Sequence, residues 1–271
     1  MALPSASHAW NAAGHRQIAA LAWEVMTPVA RRQATALLRQ HPDYARWRER
    51  QQENDPDYGV FLEASIWADD IRGDRRFYDE GKGVPTPRLP GFPDMRRHGD
   101  WHYRDRGGGE IDARLARLAH DLVFGTRAAK IYALPWLLHL TGDIHQPLHT
   151  GGRNDRGGNR FYVRAPSVKR KKRQTLHGYW DNLPGPSGLR GAALARRLAF
   201  LRRLPPPSSA EAVGDIRRWL EESRALIARE VYPKKHDAIL DASFHRRAQY
   251  RADLRLRAAG QRLGHWLNYL L

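Results

Sequence analysis

The segment from His139 to Asn159 restricts the possible fold more than any other part of the chain. It contains an H-x-x-x-D pair, His139 and Asp143, whose spacing places both side chains on one face of a helix. Pro147 predicts that this helix ends or kinks just before His149. Two Gly-Gly pairs, at 151–152 and 157–158, then predict an irregular loop. We therefore expect a helix that delivers polar side chains to a glycine-rich loop.

The same spacing recurs at His177 and Asp181, within L-H-G-Y-W-D. Imidazole and carboxylate groups collected in this way suit a hard or borderline metal ion. Each pair alone is equally compatible with a surface ion pair or a helix cap. His145 lies in the first segment but off the face that His139 and Asp143 share, so a histidine here is not automatically a ligand. The metal hypothesis therefore depends on the rest of the chain.

Length and composition limit the class of protein. A chain of 271 residues can bury a large core, as one large domain or as two. No run of 18 apolar residues exists, so the sequence predicts no transmembrane helix. The absence of cysteine excludes disulfides and thiolate ligands. Any zinc site must therefore consist of His, Asp, Glu or backbone ligands.

The formal net charge of +17 favours polyanionic partners, either nucleic acid or an anionic lipid surface. An arginine-rich proteome is the alternative explanation, because the arginines are scattered along the whole chain. The basic run KRKKR at 169–173 is more specific. It comes shortly before His177, so we expect a basic loop that could reach over the site.

Residues 1–9 (MALPSASHA) are too short and too polar for a complete signal peptide. Their last three residues match the small-x-small pattern of signal peptidase sites. We expect 1–9 to be a leader remnant or an artificial tail, and 10–271 to be a single domain. Cleavage after Ala9 would make Trp10 the first residue of a secreted or periplasmic protein.

Apolar periodicity predicts a mainly α fold, a single-domain multi-helix bundle with a small β-hairpin. A strand at 160–163 is expected to begin the hairpin, with the basic run as its turn. A loop is expected at 73–93, and a short extended piece containing His102 at 100–105. Helices are predicted from Trp10 onward and at 28–40, 62–72, 111–124, 128–146, 189–204, 209–231 and 238–271.

Six short motifs occur along the chain in a fixed order. They are W-x-x-x-G-H from Trp10, W-A-D-x-I-R from Trp67, W-H-Y from Trp101, H-x-x-x-D-x-x-Q-P-L-H from His139, G-G-N from Gly157 and L-H-x-x-W-D from Leu176. In this order and spacing the chain resembles the S1/P1 nuclease family, zinc-dependent single-strand nucleases related to phospholipase C. The resemblance runs from Trp10 to Asp181. The lack of cysteine resembles a bacterial secreted member rather than a disulfide-bearing eukaryotic one.

The resemblance implies three zinc ions in a cleft. It assigns the first to Asp69, His102, His139 and Asp143, the second to His15, Asp143 and the N-terminal amine and carbonyl oxygen of Trp10, and the third to His149, His177 and Asp181. The second assignment requires Trp10 to be a free N-terminus, because an amide nitrogen is a poor ligand. The nine residues that precede Trp10 would impair this site if they stay attached.

The resemblance also implies the reaction. A hydroxide that bridges the close zinc pair would attack phosphorus, leaving products with 5′-phosphates, and 3′-monophosphates would also be cleaved. Asp69 and Asp143 would act in catalysis with Arg72, which would neutralise charge in the transition state. Arg72 could instead pair with Asp69 or Asp70 on a helix surface.

Three residues are expected to contact substrate. Tyr103 would stack on an unpaired base and Asp105 would bind the edge of that base, which accounts for single-strand preference. Asn159 would orient the site or contact phosphate. Tyr103 could also be a core tyrosine, and Asn159 could merely cap the turn. The expected substrates are single-stranded DNA and RNA and nucleotides, bound by a monomer.

Two rival functions stay open. A phospholipase C could use the same metal ligands, although no added lipid-binding region is visible in the sequence. A basic, non-catalytic nucleic-acid binder would not need open zinc sites. Replacement of Asp143 by Asn would abolish turnover in either enzyme and spare binding in the third case.

Overall fold

The computed structural model describes residues 10–165, 173–207 and 213–271. The chain is 58% helix and 5% strand, which confirms the mainly α prediction. The helices in these ranges are α1 (Ala12–Val25), α2 (Pro28–Leu38), α3 (Tyr44–Arg50), α4 (Pro56–Ala64), α5 (Trp67–Asp70), α6 (Ile111–Phe124), α7 (Arg127–Asp143), α8 (Leu176–Asp181), α9 (Gly191–Leu201), α10 (Ile216–Leu226) and α11 (Ala242–Leu270). None of these helices is both long and apolar enough to cross a bilayer.

The small sheet has three strands, β1 (Tyr162–Arg164), β2 (Arg173–Thr175) and β3 (Ala238–Ile239), in the order β2-β1-β3. β1 and β2 are antiparallel, with Tyr162 opposite Thr175, as expected for the hairpin. The predicted turn and most of the basic run lie outside the described residues. β3 pairs in parallel with β1 and occupies the start of the helix predicted at 238–271, which begins instead at Ala242. Two residues are too few to show a strand period.

The first and last helices pack closely against each other. Asn11 caps α1 by accepting hydrogen bonds from the backbone N–H groups of Ala13 and Gly14. Two glycines of α11 face α1. A Cβ atom at Gly260 would lie 2.4 Å from the Cβ of Leu21, and one at Gly264 would lie 2.6 Å from the carbonyl oxygen of Ala22. Glycine is therefore required for this approach of the two helices.

α7 delivers the predicted ligands to the centre of the molecule. Thr126 caps its first turn, and every residue from Tyr132 to Asp143 is buried. The helix contains Pro135, which has no N–H to donate. Thr27 caps α2 in the same way, ahead of Pro28. Buried side chains from Trp10 to Leu270 form one connected core around α7, whereas the assignment of one domain to 10–271 stays a prediction.

Two local predictions were wrong. The helix predicted at 62–72 is divided into α4 and α5, because the chain turns at Ser65 and Ile66. The Ser65 hydroxyl donates to the Leu62 carbonyl oxygen (2.7 Å), a local bond that competes with helix continuation. The extended piece predicted at 100–105 begins instead as a 3₁₀-helix, Gly99–His102. His98, just before it, has a left-handed backbone conformation with φ of 45°, which interrupts an extended segment.

Other boundaries differ less. α3 was not predicted, since seven residues with a single buried one, Trp47, show no clear apolar stripe. The segment predicted as a helix at 209–231 contains α10 and a π-helical turn, Ile227–Val231, and its start lies outside the described residues. Pro147–His149 forms a 3₁₀-helix just beyond the end of α7, as the proline suggested.

Candidate metal centre

Asp143 is the centre of a buried group of histidines. Its Oδ1 lies 3.3 Å from Nε2 of His15, on α1. Its Oδ2 lies 3.3 Å from Nε2 of His139, one turn earlier on α7. The rings of His15 and His139 stack with 3.9 Å between centroids. The side chains of His15, His139 and Asp143 therefore offer three ligand atoms within 4.8 Å of one another.

Gly142 makes the stacking of His15 possible. A Cβ atom at this position would lie 2.8 Å from Nδ1 of His15 and 3.2 Å from Cδ1 of Ile18. Even an alanine would therefore push α1 away from α7. The glycine in H-x-x-x-D accordingly determines how close the N-terminal helix comes to the centre.

A second group of ligand atoms adjoins the first. It consists of Asp69 on α5, His102 at the end of Gly99–His102, and again His139. The Nδ1 atom of His102 lies 2.9 Å from Oδ2 of Asp143, so it donates to that carboxylate. Nδ1 of His139 donates to the carbonyl oxygen of Ser65 (2.9 Å), which the break between α4 and α5 exposes. His139 is thereby held with Nε2 directed at both groups.

Burial and neighbouring groups together shift the pKa values of these residues. Burial and the charge of Arg72 lower the pKa of His102 to about 3, despite its hydrogen bond to Asp143. Burial alone would raise the pKa of Asp143, but His139, His102 and His15 lower it well below its usual range. Asp143 is therefore an anion and His102 a neutral imidazole, which are the protonation states that bind a cation.

His149 and His177 form the third group with Asp181. Nδ1 of His149 donates to the His102 carbonyl oxygen, and Nδ1 of His177 donates to the Gly157 carbonyl oxygen, both at 2.6 Å. Since a carbonyl oxygen only accepts, each Nδ1 bears a proton, and in the neutral form of either ring Nε2 has a lone pair. The two Nε2 atoms nevertheless lie 2.9 Å apart. A cation between them removes this repulsion.

Asp181 completes this group from the end of α8. Its Oδ2 lies 3.6 Å from Nε2 of His177. Burial raises the pKa of Asp181 well above its usual value, since the Gln146 hydrogen bond offsets only part of that effect. Burial also lowers the pKa of His149, which favours its neutral form. A carboxyl group beside two imidazoles is a suitable donor set for a divalent ion, which would bind the carboxylate form.

Trp10, the remaining predicted ligand, is fully buried next to the centre. The backbone N–H of Asn11 donates to the carbonyl oxygen of Asp181 (3.0 Å), which ties the start of α1 to the third group. A Cβ atom at Gly14 would lie 2.5 Å from the Cβ of Trp10, so Gly14 makes room for the tryptophan. The role of its backbone atoms stays a prediction.

A cleft of about 680 Å³ opens onto the second and third groups. Its lining includes the predicted residues Arg72, Tyr103, Asp105 and Asn159, together with His102, His149 and His177. The Tyr103 side chain is 39% exposed, so it is not a core tyrosine. Arg72 Nε lies 3.2 Å from Oδ1 of Asp69, as the alternative interpretation anticipated, while the residue still lines the cleft. The side chain of Asn159 also caps locally, donating to the carbonyl oxygen of Arg156.

Several residues at the site were not predicted as functional. Arg97, Arg156 and Asp79 line the cleft, and no motif or spacing identifies them. Gln146 binds Asp181, and its only signal was its place in the Q-P-L-H motif. A second crevice of about 300 Å³, whose lining includes Asn11, Asp69, Asp70, Asp181, Asn182 and Ser187, reaches the second group at Asp69 and the third at Asp181. The accessible surface near the centre is therefore larger than the motifs indicate.

His145 lies between the predicted ligands in sequence but outside all three groups. Its Nδ1 donates to the Thr141 carbonyl oxygen, and Arg262 donates to its Nε2 at 3.0 Å. Burial and the charges of Arg255 and Arg262 lower its pKa well below the usual value. His145 is thus a neutral core histidine.

Comparisons with known proteins agree on one family. The model of the family described as S1/P1 Nuclease matches residues 10–271. Endonuclease 4 and Endonuclease 5 of Arabidopsis thaliana are each 47% identical to the chain over 51 residues, which are 19% of this chain and 16% of either relative. Endonuclease 1 of the same plant is 45% identical over 49 residues. The matched part of the chain thus spans about a sixth of the length of these curated relatives.

Proposed function

Because the chain belongs to the S1/P1 nuclease family, we propose that it is a zinc-dependent endonuclease that hydrolyses phosphodiester bonds of single-stranded DNA and RNA. The products would have 5′-phosphates, and 3′-monophosphates would also be hydrolysed. We further propose that it acts as a secreted or periplasmic monomer. The activity and the substrates of the whole protein belong to this proposal, because the match to Endonuclease 4 covers 19% of this chain and 16% of that relative.

The observation that best supports a metal centre is the contact between His149 and His177. When both rings are neutral, the two buried Nε2 lone pairs face each other at 2.9 Å, an arrangement that a cation near both would stabilise. The first two groups support the same proposal. In the described part of the chain, Nε2 of His15, His102 and His139 is buried without a hydrogen-bond partner. Such atoms are costly to bury unless something absent from the polypeptide satisfies them.

The chemistry of the donors favours zinc and three sites. Every side-chain donor is an imidazole or a carboxylate, a set that zinc accepts in four-coordinate sites. The first two groups adjoin at His139, so we assign two ions to them. Asp69, His102, His139 and Asp143 would hold one, and His15, Asp143 and the backbone of Trp10 would hold the other. The third ion belongs to His149, His177 and Asp181. When bound, zinc supplies a Lewis acid and activates water near neutral pH.

The polypeptide then binds and orients the substrate. Arg72 lines the cleft beside Asp69, where its guanidinium would neutralise charge that develops on the phosphate. Tyr103 would stack on an unpaired base, while Asp105 would accept hydrogen bonds from its edge. Asn159 would contact phosphate from the glycine loop. Stacking on Tyr103 requires an exposed base, so it would select single strands.

The test uses the chain that begins at Trp10, loaded with zinc. Degradation of circular single-stranded DNA is followed with and without a chelator, with Asp143→Asn as the inactive control. We expect loss of the circle only in the zinc-loaded wild type, because a circle has no end for an exonuclease. A parallel assay on phosphatidylcholine vesicles tests the competing phospholipase C hypothesis. If the circle stays intact while the lipid is hydrolysed, the protein is a phospholipase C and the nuclease proposal is wrong.

A further inference from the structure

Gln146 lies between the first and third groups of ligands and is fully buried. Its backbone N–H donates to the carbonyl oxygen of Asp143 (2.9 Å), and its carbonyl oxygen accepts from the N–H of His149 (3.0 Å). Because Pro147 follows, its backbone is extended rather than helical, with φ of −82° and ψ of 115°. The residue therefore sets the path of the chain from one ligand to the next.

The orientation of its side-chain amide is determined by its surroundings. Oε1 accepts a hydrogen bond from the backbone N–H of Leu148 at 2.6 Å. Only an oxygen can accept there, so the amide nitrogen must point the other way. That nitrogen donates to Oδ1 of Asp181 at 2.7 Å. The amide thus joins the segment that contains His149 to the carboxylate on α8.

This contact leaves the two oxygens of Asp181 with different roles. Oδ1 accepts from the amide, whereas Oδ2 is the oxygen that lies toward Nε2 of His177. Without the amide, the carboxylate could rotate about χ2, a torsion with a broad minimum. A ligand held in one orientation binds an ion more tightly than one that must be ordered on binding.

We propose that Gln146 is the positioning residue of the third metal site: its amide orients Asp181 so that Oδ2 joins His149 and His177 around one ion. This inference rests on the proposed metal centre. Nothing in the role requires Gln146 to touch substrate or the ion itself. Its replacement should accordingly weaken one ion selectively and leave the ions at His15, His102 and His139 in place.

The test measures metal binding. Wild type, Gln146→Leu and Gln146→Glu are titrated with zinc against a competing chelator, and the cobalt forms are compared by visible absorption. The leucine removes the donor, and the glutamate replaces it by a carboxylate that repels Asp181. We expect both variants to bind one of three ions about 10- to 100-fold more weakly. The cobalt spectrum should lose the contribution of one site.

Gln17→Leu is the matched control. Gln17 is also fully buried, and its amide donates to the carbonyl oxygens of Ala13 and Pro184 without contacting a candidate ligand. It should lower the stability of the metal-free protein to a similar extent and leave all zinc affinities unchanged. Equal zinc affinities in wild type and both Gln146 variants would overturn the inference. A wild type that binds no zinc would instead overturn the proposed metal centre.

Discussion

Nε2 of His149 lies 2.9 Å from Nε2 of His177, although a backbone carbonyl oxygen fixes the proton of each ring on the opposite nitrogen. Two uncharged rings would avoid this arrangement in a site built only for packing. The two histidines come from different elements, Pro147–His149 and α8, so no local turn forces them together. The surrounding fold therefore holds the two rings in a geometry that an ion bound between them would stabilise.

Replacing His177 by Ala should remove one equivalent of zinc and lower kcat/KM on single-stranded DNA on the order of 100-fold, since charge stabilisation at phosphate is lost. Zinc content by mass spectrometry and initial rates test this. His120→Ala is the control, because His120 is a surface histidine on α6 with 59% side-chain exposure. Full zinc content in His177→Ala would contradict the assignment.

Tyr103→Ala should lower kcat/KM for single-stranded oligonucleotides about 10-fold, because stacking of one base is lost. Tyr103→Phe keeps the ring and should retain most activity. Steady-state kinetics on one oligonucleotide compare the two. Tyr269→Ala serves as the control, since Tyr269 is 81% exposed at the end of α11. If the alanine and phenylalanine variants were equally impaired, stacking would not be the role of Tyr103.

The ion pairs of Glu222 should make stability depend on pH. Burial would raise the pKa of Glu222, but Arg262 and Arg255 lower it from 4.5 to about 2. The folded protein therefore binds this proton less readily than the unfolded chain. The contribution of ionised Glu222 to the free energy of unfolding is complete above about pH 4.5 and is lost as the pH falls toward about 2.

Glu222→Gln should lower the free energy of unfolding at neutral pH by about 3 kcal/mol, because buried Arg255 and Arg262 lose their carboxylate partner. Urea unfolding of chelator-treated protein measures the difference from wild type. The difference between the two proteins should shrink as the pH falls from about 4.5 toward about 2. Glu24→Gln, which removes an exposed pair with Arg202, should cost less than about 1 kcal/mol. A difference that is independent of pH would refute the assignment to Glu222.

A chain that retains residues 1–9 should be less active, and should bind less zinc, than one that begins at Trp10. The reason is that an amide nitrogen at Trp10 is a poor ligand for the second ion. Both forms are compared for zinc content and for cleavage of single-stranded DNA under the same loading conditions. Equal zinc content and equal rates would remove Trp10 from the proposed ligand set.

The sequence predicted the structure correctly where the relevant residues lie within one helix. α6 has the predicted bounds, Ile111–Phe124, because its apolar residues recur with a clear helical period. His139 and Asp143 were placed on one helix face, and their side chains do meet at 3.3 Å. Thr27, directly before Pro28, caps the helix predicted at 28–40. In each case the relevant interactions span only a few residues.

Contacts between distant segments could not be predicted from pattern. His139 is oriented by the Ser65 carbonyl oxygen, which is available only because the predicted helix at 62–72 is broken. The hydrogen bond from Gln146 to Asp181 spans 35 residues and depends on the position of α8. Arg97 and Arg156 line the cleft only through the fold of their loops. Tertiary packing, rather than local propensity, decides all of these.

The close packing of α1 on Gly260 and Gly264 has a consequence for biosynthesis. These glycines are translated after every candidate side-chain ligand, from His15 to Asp181. Until α11 has emerged from the ribosome, α1 lacks the surface against which its buried face packs. The nascent polypeptide thus contains every ligand without the centre that they form. A protein proposed to cut nucleic acid would therefore stay inactive beside its own messenger RNA until α11 has packed against α1.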